Sequence, residues 1–289
     1  MKTIKLFLAI LTVLSFTSCE DVIQVKLDKG ETIVTIDAFI NDMRSQQKVR
    51  LTYTDSYFSQ KPNEPVVGAT VTLKDATNGQ TYNFSDSNDG NYVFNLASTD
   101  TLGRVGHEYE ITVTHQGNIF TSTTQMNRTT QIDSLHVEHK EAGPFGGQEG
   151  YLFSFLGQDP TGPDPDFYWI KSYRNGIFFN KGGDINIAWN GASGDASDGL
   201  FFIPPIAEGI TPFGEIFKYH DVCRVEIHSI TRQTYDFLTQ IQSQTTNSGL
   251  FATTPENVKS NLKCTTSDKI KVVGWFSMSA VDFKEGIAE

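Results

Sequence analysis

Cys19 is the residue whose chemistry the sequence specifies most narrowly. It follows a basic start (Lys2, Lys5), an apolar run from Leu6 to Leu14 broken only by Thr12, and the small residues Thr17 and Ser18. That order is a secretory signal peptide, too short for a stable bilayer span and ending in a small-residue cleavage region. A cysteine at the cut reads as a lipobox, with Phe16 standing where leucine is usual. The Cys19 thiol would accept a diacylglyceryl group, and several acyl chains on one residue anchor stably where one chain binds only marginally.

No other residues assemble comparably specific chemistry. The chain has no Gly-x-Ser-x-Gly elbow, His-Glu-x-x-His helix or phosphate-cradling Gly-x-x-x-x-Gly-Lys loop. His136-Val137-Glu138-His139 is the nearest metal motif, but on a strand His136 and Glu138 share a face while His139 points away. His220, Asp221 and His228 around Cys223 read as loop and strand polar residues. Asp159, Asp164, Asp166, Asp184, Asp195 and Asp198 are oxygen donors of the type calcium takes, without the spacing of an EF-hand; otherwise they are solvated loop acids. The expectation is therefore a protein without catalytic residues, metal or cofactor. Two further groupings remain open. Phe178, Phe179, Trp189, Phe201, Phe202, Phe213 and Phe217 crowd a Gly-rich stretch. Buried they form a core, with the Phe178-Phe179 doublet placing one ring in and one out; exposed they are ligand or interface aromatics. With Cys19 acylated, Cys223 and Cys264 form an even pair in an oxidising compartment. They are a candidate disulfide, worth about 4 kcal/mol by loop entropy, or two buried thiols.

The elements that would carry these residues are mostly strands. From Glu31 onward apolar residues recur at period two: Ile33–Ile40, Val49–Tyr53, Thr70–Lys74, Tyr82–Phe84, Tyr92–Phe94, Ile111–Thr114 and Ile119–Thr123. Turn signals at Asn78-Gly79, Asp89-Gly90 and Gln116-Gly117-Asn118 separate them. Seven short strands in such a span predict a β-sandwich over residues 31–128, behind a signal peptide (1–18) and a lipidated tether (19–30). A larger β-rich module follows over 129–289, with strands near 132–135, 151–155, 167–173, 222–230 and 271–279. Its one helix runs from Thr231, the N-cap, to about Gln244 and is stopped by Asn247-Ser248-Gly249.

Net charge is −11, and removing the first eighteen residues, with two lysines and no acid, takes it to −13. No basic cluster exists, so the electrostatics exclude a nucleic-acid partner and leave attachment to the bilayer to the lipid on Cys19. The segment from Gly68 to Phe94, with Val105–Ser122, resembles prealbumin-like and regulatory-domain sandwiches through Gly68, Ala69, Val71, Leu73, Gly90, Tyr92, Gly106, Tyr109 and Val113. The whole chain resembles more. Cys19-Glu20-Asp21-Val22-Ile23, the sandwich motif, VEIHSITRQTYDFLTQIQSQ at 225–244, GLFATTPENVKSNL at 249–262 and VVGWFSMSAV at 272–281 resemble a Bacteroidota lipoprotein family catalogued only as a domain of unknown function. Trp275 stands where that family usually has a smaller aromatic. The resemblance implies an outer-membrane lipoprotein partnered with a TonB-dependent receptor, and supplies no catalytic residues. Glu20-Asp21 resembles the signal that sends such lipoproteins to the cell surface. Asp100-Thr101-Leu102 and Asp133-Ser134-Leu135 resemble Bacteroidota O-glycosylation acceptors, making Thr101 and Ser134 candidates unless the triplets are chance. A structural or adhesive envelope lipoprotein without a small ligand is the alternative expectation.

Replacing Cys19 by Ala removes the only thiol at the cleavage region. Fractionation of cells expressing the variant should find the protein in the soluble periplasm with an unchanged melting temperature; retention in the membrane at the original level would show that something other than lipid holds it.

Overall fold

The computed structural model describes residues 30–56, 59, 61–97, 101–143, 148–190, 196, 198–247, 254 and 256–289. Cys19 and its signal peptide lie outside them. The seven expected N-terminal strands are present: β1 (Val34–Asn41), β2 (Gln47–Tyr53), β3 (Thr70–Asp75), β4 (Thr81–Asp86), β5 (Asn91–Phe94), β6 (Glu108–His115) and β7 (Asn118–Gln125). Alternation decides which way each side chain points. Val71 and Leu73 of β3 face inward with Tyr109, Ile111 and Val113 of β6 and Ile36, Ala38 and Ile40 of β1, forming one buried core. The β6–β7 hairpin closes through Gln116 and Gly117, both at positive φ, the conformation a two-residue turn needs to match strand twist. Strand β4 turns the corner of the sandwich. Phe84 pairs with Val71 of β3, whereas Ser85 and Asp86 pair with β5.

Beyond residue 129 come β8 (Ile132–Lys140), β9 (Gly150–Gly157), β10 (Phe167–Arg174), the short β11 (Ile177–Phe178), β12 (Asn186–Trp189) and β13 (Val222–Ile230). The helix α1 (Arg232–Thr245), β14 (Lys263–Cys264), β15 (Val272–Ser279) and β16 (Val281–Ile287) follow. Strands β11, β10, β13 and β16 form a second sheet, with β12 also paired to β10. The β8–β9 hairpin covers one face of that sheet, where Phe153 and Phe155 pack with Tyr168, Ile170, Val225 and Ile227. Helix α1 begins as the sequence predicts, with the Thr231 hydroxyl accepting from the Thr234 N–H. The fold is mostly β with one α-helix among the described residues.

The boundary at residue 129 needs correction. Strand β15 does not belong to the second module: it lies parallel to β1, in register from Val34 opposite Val272 to Asn41 opposite Ser279. Strand β14 pairs with β7 at the other end of the same nine-stranded path. The first sandwich is thus completed by residues from the far end of the chain. Gly274 makes this close approach feasible, since a Cβ there would sit 2.0 Å from the Ile36 carbonyl oxygen, at φ +114.

The chain then passes from β15 to β16, and so from one sheet to the other, with only Ala280 between. Ser229, fully buried, fixes this crossing. Its hydroxyl donates to the Asn127 carbonyl (2.7 Å) and accepts from the Ala280 N–H (2.9 Å). Asn127 belongs to an earlier connection between the units, from β7 to β8, and its amide donates to the Ile230 carbonyl. Ser229→Ala should strip partners from two backbone groups at once and cost about 2–3 kcal/mol. Urea unfolding checks this: the midpoint should fall with an unchanged slope, and a loss within error would mean the crossing does not depend on the hydroxyl.

Candidate functional site

The two sheets meet through the faces that their own cores leave free. On β10, Tyr168 and Ile170 turn toward the hairpin, so Phe167, Trp169, Lys171 and Tyr173 turn toward the first sandwich. On β13, Arg224, Glu226, His228 and Ile230 take the same side, and β1 presents Asp37 and Phe39. Helix α1 closes one flank. Phe237 stacks on Trp275 of β15 with ring centroids 4.2 Å apart and planes within 16°, and the Trp275 indole N–H donates to the buried Thr234 hydroxyl.

These surfaces enclose a cleft of about 350 Å³. Its walls are mainly apolar, with Phe39, Trp169, Phe178, Phe237 and Trp275 the largest side chains and Asp37, Lys181 and Asp184 the charged ones. Phe39 meets Trp169 edge-on at 5.2 Å. A wider groove of about 640 Å³ lies on the other side of the Phe237–Trp275 stack, lined by polar residues of α1, β7 and the 259–263 segment.

Beside the cleft lies a charged layer. Glu226 accepts hydrogen bonds from Arg224 (2.8 Å), His228 (2.9 Å) and Tyr173 (3.0 Å). Burial opposes its ionisation, yet these donors hold its carboxyl well below the usual range. His228 is pushed down by burial and by the nearby Lys171 charge, so it is neutral at pH 7 and donates its Nε2–H to Glu226. Lys171 stands directly opposite Glu226 across the β10–β13 ladder. Its ammonium sits 3.9 Å above the Trp169 ring, with the Phe39 and Phe178 centroids each at 6.0 Å.

Of the residues singled out by sequence, Phe178 faces the cleft and Phe179 turns toward Phe217 in the second core while also reaching the cleft wall. Both rings are half-buried and both line the cleft, so the doublet does not divide into one inward and one outward ring. Phe202 is core, packed on Phe155 and Tyr168. Trp189 and Phe201 are about half exposed, Trp189 stacking on Phe167 at the sheet edge. These aromatics therefore serve three places. The candidate disulfide is corrected: Cys223 and Cys264 are both free. Cys223 is wholly buried in the second core, where burial pushes its thiol up to about 12, while Cys264 lies on the edge strand beside β7. Thr101 and Ser134 are exposed, and Asp100 lies outside the described residues.

The loop carboxylates tie the chain to itself. Asp159 accepts from the Tyr168 hydroxyl (2.6 Å) and Asp166 is gripped by Arg128. Asp198 accepts from the Gly162 N–H and Asp184 from the Lys181 N–H, and Asp195 is outside the described residues. Among the described residues no three His, Cys, Asp or Glu side chains converge to hold a metal. His139 lies against Tyr151 and 3.5 Å from Glu149, away from any such set. Sequence reasoning missed Asp37, Phe39, Trp169, Lys171 and Phe237 as site residues. Charged residues beside aromatics within strands otherwise read as period two were the one available signal.

Fold and site together define a protein of two packed β units sharing an apolar cleft. Residues 20–285 match the family described as a domain of unknown function (DUF4249). The chain belongs to that family. No curated protein matches it. Among solved structures it is similar to the chicken CNTN1 FN1–FN3 domains, at 10% identity and a TM-score of 0.21, covering 71% of this chain and 64% of that one.

The Glu226–His228 pair sets a pH window. Each group binds its proton more weakly in the folded chain than at its ordinary value, 4.5 for Glu and 6.5 for His. The unfolded chain therefore takes up more protons on acidification. Stability should be full above pH 6.5, fall first as unfolded His228 protonates and fall further below 4.5. Urea midpoints at a series of pH values check this. His228→Gln, which keeps a donor for Glu226, should flatten the segment between pH 6.5 and 4.5; an unchanged slope there would remove His228 from the account.

Proposed function

We propose that the chain is a non-enzymatic, lipid-anchored binding protein of the outer-membrane surface, working as the accessory partner of a TonB-dependent nutrient transporter. The cleft carries this reading. A concave, largely apolar site of about 350 Å³ between two rigid sheets is the form small-ligand sites take. The signal sequence, Cys19 and the acidic pair behind it support surface attachment. No described helix is long and apolar enough to cross a membrane. The loop after β12 leaves Leu200, Phe201, Ile203 and Phe213 exposed, and exposed aromatic side chains are enriched where protein partners dock.

Solubilising native membranes in mild detergent and recovering the chain should bring down one β-barrel receptor in fixed ratio. The complex should weaken when Ile203 and Phe213 are both changed to Glu. Recovery of the chain without any barrel, in several detergents, contradicts the partnership.

A further inference from the structure

The β8–β9 hairpin has two edges, and the fold covers one of them. On the β9 side the 201–217 segment takes up the outward backbone groups. Tyr151 exchanges N–H and carbonyl bonds with Phe217, and the Phe155 N–H donates to the Ala207 carbonyl. The Thr211 hydroxyl accepts from the Phe153 N–H and donates to the Phe153 carbonyl. Leu152, Ser154 and Leu156, lying between these residues, therefore turn their backbone groups toward β8, where they oppose Glu138, His136 and Ser134. By the same alternation Leu135, Val137 and His139 point their N–H and C=O groups away from the hairpin. None of these groups has a partner among the described residues, where β8 pairs with β9 alone. Only the start of the strand is guarded. There the Lys284 ammonium donates to the Ile132 and Asp133 carbonyls, and the register shifts between Ile132 and Ser134. A nine-residue edge strand with a free central run is a template for another strand.

We propose that β8 is the contact between two copies of this chain, paired antiparallel about Val137. Val137 lies opposite Val137 of the second copy, and Leu135 opposite its His139, each such pair exchanging two N–H···O bonds. Charge complementarity identifies a second copy as the partner. Between those pairs the same register sets His136 of each copy against Glu138 of the other, and Ser134 against Lys140, on the face where all four side chains are exposed. An imidazole N–H donates to a carboxylate whether or not the ring is protonated, and two-fold symmetry makes the contact twice. Sliding the strands by two residues either way would set Glu138 against Glu138 or His136 against His136, and like charges directly opposite are destabilising. The inner face of the pairing stays apolar, since Leu135 and Val137 already pack on the second core. Exposed Ile203 and Phe213 belong to the segment on the other edge of the hairpin, so a receptor seated there leaves β8 free. The contact is independent of the cleft and of any ligand in it.

Sedimentation of the full chain carrying Cys19→Ala, free of acyl chains and detergent, tests this. It should show a reversible monomer–dimer equilibrium. His136→Glu sets carboxylates against each other at both symmetric contacts and should weaken the dimer about tenfold or more. Adding Glu138→His to that variant exchanges the two residues and should restore it. Val137→Pro removes the outward N–H at the axis, a change an open edge tolerates, and should abolish the dimer. If that variant does not fold, the two charge variants decide alone, because their side chains are exposed in the monomer. A monomer at every concentration overturns the inference. So does a dimer indifferent to His136→Glu, or one that the exchanged variant fails to restore.

Discussion

The parallel pairing of β15 with β1 is the constraint on which the remaining structure depends. It brings the end of the chain back against its beginning and completes the first sandwich. One residue later, β16 joins the second sheet. The two units are consequently joined at three covalent crossings, near Asn127, between β13 and β14 by way of helix α1, and at Ala280, and Ser229 ties the first to the last. A cleft between domains on a single linker would open and close freely. Here the crossing at Ala280 is pinned by the Ser229 N–H on the Ala280 carbonyl, and Trp275, supplied by β15 itself, anchors helix α1 over one side.

That architecture explains where charge could be buried. A sheet covered on one face by its own core still has a second face, and docking two such faces traps whatever residues occupy them. The apolar part, Phe167, Ile230, Phe237, Leu238 and Trp275, supplies the contact that holds the units together. The polar part survives because Glu226 gathers three donors. Asp37 borders the space the docked faces leave unfilled, while Lys171 sits behind the Trp169 ring, opposite Glu226.

Much of the fold was legible in the sequence. The first seven strands showed because each has one buried face: Val71 and Leu73, or Ile111 and Val113, alternate with Thr, and glycine marks the turns. Helix α1 showed through Thr231 and the spacing of Tyr235, Leu238 and Ile241. The destination of Val272–Ser279 was not legible. A strand that pairs with a partner at the other end of the chain carries the same local pattern as one that pairs nearby. The site followed the same division. The aromatic density around Phe178 was visible, but Asp37 and Trp169 become neighbours only through that long-range pairing. The parity of the cysteines suggested a bridge that the two separate cores preclude.

The three tryptophans provide the most direct test of the account, that the space between the units is the ligand site. Trp169 and Trp275 line the cleft, and Trp189 lies half exposed on an edge strand outside it. Nuclear magnetic resonance of the indole N–H groups during titration with a small neutral aromatic probe, benzyl alcohol, separates them. The account predicts that the Trp169 and Trp275 signals move together along one saturation curve while Trp189 stays in place. Movement of Trp189 alone, or of none of the three, would contradict it.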